Sequence, residues 1–290
     1  MKGDVRNHGL DSLFALDRQS FETKLDILIR DNRFTIAVVF PLIGGLILIA
    51  SAEEWLPEPL AFNPLLVVFG VLVMRSPLLG GILPLISKRA LVFLSLLVGY
   101  TYGIEYIGVQ TDWPYGAFEY GISLGPMVGG IPVALPILFI PLVLNAYLLL
   151  IRVIPPAVNT VVVRLLVTIP LVVLLDVVLD PAAVGLGFWS YADGGFFYDV
   201  PLSNYVGWVL SATVAVTLVE LSFRTQLLQE RIASCPYILD DLVSFVILWG
   251  VINLWFGHYI PVIVAIFLGL LLGYTMIYRE KSGSITNNLS

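Results

Sequence analysis

Eight apolar runs divide this chain, at about 34–52, 60–75, 90–109, 126–151, 162–179, 202–223, 241–256 and 259–278. A helix needs about 20 apolar residues to cross a bilayer, and runs of this length and purity read as spans. The pattern predicts an all-α, polytopic integral membrane protein with about eight transmembrane helices. The seventh and eighth runs form a tight hairpin through Gly257 and His258, which leaves each short for a bilayer. The fourth contains Pro126, Pro132, Pro136 and Pro141 and is not expected to be one straight helix. Broken backbone at membrane depth is tolerated only where protein or a water-filled cavity surrounds it, so this run is expected to face the interior. The pairs Gly99/Gly103, Gly125/Gly129 and Gly269/Gly273 read as close helix-packing contacts. No internal repeat is visible, which counts against the inverted-repeat transporter folds.

Charge fixes the orientation. Lys2, Arg6, Arg18, Lys24, Arg30 and Arg33 precede the first run. Arg75, Lys88 and Arg89 lie between the second and third, Arg152 and Arg164 between the fourth and fifth, Arg224 and Arg231 between the sixth and seventh, and Arg279 and Lys281 after the last. The alternate connections carry none. By the bias of Lys and Arg toward cytoplasmic loops, both termini are cytoplasmic and the protein is a multi-pass cell-membrane protein. Residues 1–33 form a cytoplasmic segment, 34–279 a single transmembrane domain and 280–290 a cytoplasmic tail. The first 33 residues mix six basic with six acidic side chains and lack an apolar h-region, so no signal peptide is expected. Phe21, Leu25 and Leu28 recur there at helical spacing, as an interfacial or a solvated helix would require.

Composition narrows the classes. Of 290 residues 58% are hydrophobic, the net charge is −6, and four Lys stand against eleven Arg. An acidic, Lys-poor surface fits a high-salt cytoplasm and hence a halophilic source. No basic stripe with interleaved aromatics exists, so nucleic acid is not an expected partner. With His8, His258 and the lone Cys235 as the only nitrogen and sulfur donors, neither a disulfide nor a zinc-type metal site is expected.

The candidate chemistry lies in a few acids. Glu105, Asp176 and Glu220 fall inside apolar runs, where a charge costs roughly 2.5–3.5 kcal/mol on insertion scales. An i,i+4 ion pair with Arg224 accounts for Glu220. Glu105 and Asp176 have no basic residue on their side of the membrane. Asp176 and Asp180, four apart, share a helical face near its outer end. Two carboxyls in one low-dielectric site divide into acid and base, whereas a helix end in interfacial water would make the same pair structural. Two long outer connections, Thr111 to Gly125 and Asp180-Pro181 to Pro201, concentrate Trp, Tyr, Phe, Gly and carboxylates, including Asp112 and Glu119. An aromatic belt accounts for some of these rings but not for the one-sidedness of the acids.

Glu105 with Pro114-Tyr115-Gly116, Tyr120, Leu124-Gly125 and Pro132 resembles the carotenoid hydratase family. So does Asp176-x-x-x-Asp180-Pro181, followed by Trp189 and by Pro201-Leu202-x-Asn204-x-x-Gly207-Trp208. The likeness runs from about residue 34 to the end. It departs in lacking a second Trp near Tyr191 and in having Phe197-Tyr198-Asp199 where a Gly follows the Tyr pair, which bears on substrate fit. The resemblance implies cofactor-independent hydration of the terminal C=C bonds of a long acyclic carotenoid, of the type that turns bisanhydrobacterioruberin into bacterioruberin. It makes the carotenoid, water and membrane lipid the partners, with association with other carotenoid-pathway membrane enzymes.

Alkene hydration without a cofactor passes through a tertiary carbocation. It needs a protonated carboxylic acid, a carboxylate to orient water and aromatic faces for the cation. Asp176, Asp180 and Glu105 are the expected catalytic residues. Trp113, Tyr115, Tyr120, Trp189 and Trp208 are the expected substrate contacts, with Asn204 placing the water. Two rival readings remain: a membrane prenyltransferase, whose diphosphate motif contains Asp-x-x-x-Asp, and a transporter or carotenoid-binding scaffold using the acids as a proton relay.

Overall fold

The computed structural model describes residues 4–122 and 125–287, with side chains for 18–122 and 125–275. Lys2, Leu124 and residues 288–290 of the tail lie outside the described residues, as do the side chains of Arg6, Arg279 and Lys281.

In chain order the helices are α1 (Asp4–Asp31), α2 (Phe40–Ala52, preceded by a π-helical turn, Thr35–Val39), α3 (Pro64–Ile82), α4 (Lys88–Thr111), α5 (Leu135–Val153), α6 (Val161–Gly185), α7 (Leu202–Ser222), α8 (Thr225–Ser234), α9 (Asp240–Trp255) and α10 (Tyr259–Asn287). Short strands β1 (Phe118–Tyr120), β2 (Met127–Val128), β3 (Ile131–Pro132) and β4 (Trp189–Tyr191) occupy the connections at one end. Three helices start where their caps dictate. The Asn63 side chain accepts from the amides of Leu65 and Leu66, Ser87 from Ala90 and Thr160 from Val163, which satisfies amides the first turn leaves free.

Each of the eight apolar runs contributes a helix, in an all-α polytopic membrane protein. Among the described residues six helices, the first two taken with the turns that extend them, are long and apolar enough to cross a membrane: Thr35–Ala52, Pro64–Leu85, Lys88–Thr111, Leu135–Val153, Val161–Gly185 and Leu202–Ser222. The hairpin of α9 and α10 is shorter, with 16 residues in α9 and an apolar stretch Tyr259–Thr275 in α10. The fourth run is divided: residues 127–132 form the β2–β3 hairpin, with Met127 opposite Pro132, and α5 begins at Leu135. α5 is the centre of the bundle. Nearly every residue from Phe139 to Ile151 is buried, against α6, α7, α4 and α3.

Several local expectations are corrected. Of the spaced glycines within helices only Gly269 faces a neighbouring helix, where a Cβ would lie 3.5 Å from Val246 Cγ1. A Cβ at Gly99, Gly103 or Gly273 would meet nothing within 4 Å, and Gly125 and Gly129 lie in loops with φ of +96° and +62°. Close approach falls instead at Gly81, where a Cβ would lie 2.4 Å from Ile238, and at Gly207, where it would lie 2.6 Å from the Tyr115 ring. Arg75 and Arg164 are not in connections. They are buried within α3 and α6 and paired with Asp241 at 2.7 Å and Glu220 at 2.6 Å. Glu220 therefore pairs across helices with Arg164 and Tyr147, because a buried guanidinium requires a charged partner more than an exposed Arg224 does.

The basic end is closed by side chains that cap helix C-termini. Arg231 donates to the carbonyls of Gly80 and Gly81, Arg18 to Leu83 and Arg89 to Leu221. The aromatic connections lie at the other end. There Trp55 packs edge-on against Trp255, and Phe62 against Phe188.

Candidate active site

α6 carries both aspartates of the central pair. The helix does not stop at Asp180 but continues through Pro181 to Gly185, so both carboxyls are inside the bundle rather than in interfacial water. Asp176 is 0% exposed and Asp180 2%. Asn204, the third residue of α7, faces them. Its amide nitrogen donates to Asp176 Oδ2 at 3.1 Å and to Asp180 Oδ2. One side chain thus spends both of its N–H groups on two carboxyls a helical turn apart. Asp176 Oδ1 is buried without a hydrogen-bond partner among the described residues.

The two long aromatic connections meet over this pair. β1 and β4 run antiparallel, with Phe118 opposite Tyr191, Glu119 opposite Ser190 and Tyr120 opposite Trp189. Side chains alternate along a strand, so Phe118, Tyr120, Trp189 and Tyr191 share the inward face while Glu119 and Ser190 point out. Tyr191 donates to Asp180 Oδ2 at 3.1 Å, and Tyr120 donates to Glu105 Oε1. Burial, reinforced by the neighbouring carboxyls, pushes both phenols well above the ordinary tyrosine range, so they remain donors. Tyr115 lies beneath the ribbon, hydrogen-bonded to Ser211 at 2.6 Å, and Gly207 lets α7 approach it.

These groups form the head of a cavity of about 320 Å³. Glu105, Asp180 and Asn204 supply its polar surface here. Tyr115, Tyr120, Trp189 and Trp208 line it, as does Phe139, stacked on Trp208 at 5.2 Å. Asp176 lies behind Asn204, out of the wall. Among the described residues none of Glu105, Asp176 and Asp180 has an ion-pair partner. Of the residues singled out in the sequence, the fold does not bring Trp113 here: it is 56% exposed and outside the cavity. Asp112 and Glu119 are also exposed. Sequence reasoning left out Tyr191, Phe118 and Phe139. The alternation in Phe-Glu-Tyr and Trp-Ser-Tyr is the one signal for the first two, and three residues are too few to read as strands.

Fold and site define a polytopic membrane protein that holds uncompensated carboxyls at the head of an aromatic, apolar cavity. The chain belongs to the carotenoid biosynthesis protein family, whose model matches residues 62–272. It is 53% identical over 247 residues to the bisanhydrobacterioruberin hydratase of Haloarcula japonica, a match covering 85% of this chain and 84% of that protein. No solved structure matches significantly.

Proposed function

We propose that this chain is a carotenoid hydratase that adds water to the terminal C=C bonds of bisanhydrobacterioruberin, giving bacterioruberin. The observation that carries the reading is that Glu105 and Asp180 are the two carboxyls facing a largely apolar, aromatic cavity. An uncharged alkene needs such a combination. A proton passes from one carboxylic acid to the CH carbon of the terminal alkene, leaving positive charge on the carbon that bears two methyl groups. Water adds at that carbon and gives its second proton to the carboxylate set, which ends as it began.

Each residue has a distinct part in this proposal. Asp180 and Glu105 act as the acid–base pair, each held by a tyrosine donor. Asp176 is a positioning residue that shares Asn204 with Asp180 and holds a proton in reserve. With no ion-pair partner for either among the described residues, the two aspartates keep at least one proton between them. Trp189, Trp208, Tyr115 and Tyr120 supply aromatic faces for the cation. Asn204 orients the water.

The same proposal takes 34–279 as one transmembrane domain with the basic end and both termini in the cytoplasm. The carotenoid and membrane lipid are its partners. Contact with other membrane enzymes of carotenoid synthesis follows from a substrate and product that never leave lipid.

Pigment analysis after expression in a host that makes the anhydro precursor tests the reading. More polar pigments heavier by whole waters are expected. A product of altered carbon number, or unchanged pigment, overturns it.

A further inference from the structure

The cavity does not end at the carboxyls. It continues between α2 and α3 over a floor of Leu248 and Trp249 on α9. On α2 it is lined from Ser51 to Phe40, and along α3 from its cap Asn63 to Arg75, where the buried Arg75–Asp241 pair closes it. Twelve residues of α3 span about 18 Å, so the groove runs through more than half of a hydrocarbon core roughly 30 Å thick. One long side is open. Ile43, Ile47, Leu66 and Phe69 on its rim are between 42% and 60% exposed, toward what would be lipid.

We propose that this α2–α3 groove is the binding site for one polyene arm of the substrate, which enters sideways from the membrane and slides its terminal alkene up to Asp180 and Glu105. The inference rests on the hydratase reading. Continuity selects this occupant: the groove opens directly into the carboxyl head, so a chain lying in it is already aimed at the reacting groups. Shape agrees. A conjugated chain is a stiff rod that cannot fold into a compact pocket, and it needs a straight trough with one open flank. A long acyclic carotenoid is longer than about 18 Å, so its other half remains in lipid and the two ends react in separate visits.

Two glycines line the trough and give the test. A Cβ at Gly70 would meet nothing within 4 Å, and one at Gly44 would meet only Leu248 Cδ1 at 3.7 Å. Larger side chains there extend into the groove rather than into packed protein. Purified Gly70→Leu and Gly44→Leu proteins are assayed on the full-length carotenoid and on a short isoprenoid bearing the same terminal alkene. Gly99→Leu, which also meets no protein but lies away from the cavity, serves as the control. On the long substrate kcat/KM is expected to fall about tenfold or more in both groove variants, because buried apolar contact is lost. The short substrate and Gly99→Leu should stay at the wild-type rate. Bound polyene, read by the induced circular dichroism of its visible band, should be lost in step. Normal long-substrate turnover in both groove variants overturns the proposal, as does an equal loss on both substrates. A phospholipid tail that stays in the groove while the carotenoid turns over overturns it too. Wild-type protein that hydrates neither substrate overturns the hydratase reading instead.

Discussion

Tyr191, on the ribbon at the aromatic end, donates a 3.1 Å hydrogen bond to Asp180 on α6. A loop and a helix are thereby joined at the carboxyl that faces the cavity. The link makes the position of Asp180 depend on β1–β4 pairing as well as on α6. Asp180→Asn should lower hydration by about 100-fold or more, since an amide neither protonates an alkene nor accepts a proton. Tyr191→Phe should keep the carboxyl and lose only its donor, with roughly a tenfold drop. Chromatography of pigments formed by purified protein reads both. Wild-type hydration by Asp180→Asn would place the acid elsewhere.

Carbon protonation leaves an isotopic record. Turnover in deuterated buffer should be slower, and the product should carry deuterium on the carbon beside the new alcohol. Mass spectrometry of the product decides: product formed in deuterated water without carbon-bound deuterium rules out alkene hydration.

Gly207 supports the site from α7. A Cβ there would sit 2.6 Å from the Tyr115 ring and 3.0 Å from the Pro114 backbone. Gly207→Ala should cost about 1–3 kcal/mol through overpacking. Gly99→Ala, with open space around it, should be neutral or slightly stabilising. Thermal unfolding in detergent compares the two, and equal Tm values would contradict the close approach.

Glu220 is an acid outside the site whose loss should matter for folding. Arg164 donates to its two oxygens at 2.8 and 2.6 Å, and both partners are largely buried. Glu220→Gln leaves a buried guanidinium unpaired, a change that costs about 3–5 kcal/mol where such pairs are broken. Low yield and a lowered Tm are expected, with hydration per folded molecule intact. A variant as stable as wild type would show that Arg164 finds another acceptor.

The orientation is tested with introduced cysteines, because Cys235 is buried and unsuitable as a reporter. In a Cys235→Ala background, Asp112→Cys and Asp193→Cys should react with an impermeant reagent on intact cells, and Lys88→Cys should not. All three positions are exposed in the fold. The reverse pattern would invert the membrane orientation.

The sequence by itself determined the helices, because transfer of apolar side chains and the need to satisfy backbone groups within each segment act locally. It also marked Glu105 and Asp176, since acids are conspicuous in apolar runs, Asp180 by its four-residue spacing from Asp176, and Asn204 through the family resemblance. Tertiary structure alone decided how they combine. Whether Asp180 ends a helix in water or lies inside one depends on α6 continuing through Pro181 and on a ribbon covering it, and neither has a local code. Glu220 shows the same limit: Arg224 is its neighbour in sequence, but Arg164 is its partner, because burial of both charges at one depth outweighs proximity along the chain. The spaced glycines mark it again. Their spacing is a property of one helix, whereas close packing at Gly81 and Gly207 depends on what the neighbouring element places opposite. The long groove is the clearest case, since its walls come from helices far apart in the chain and no single one of them encodes the space between.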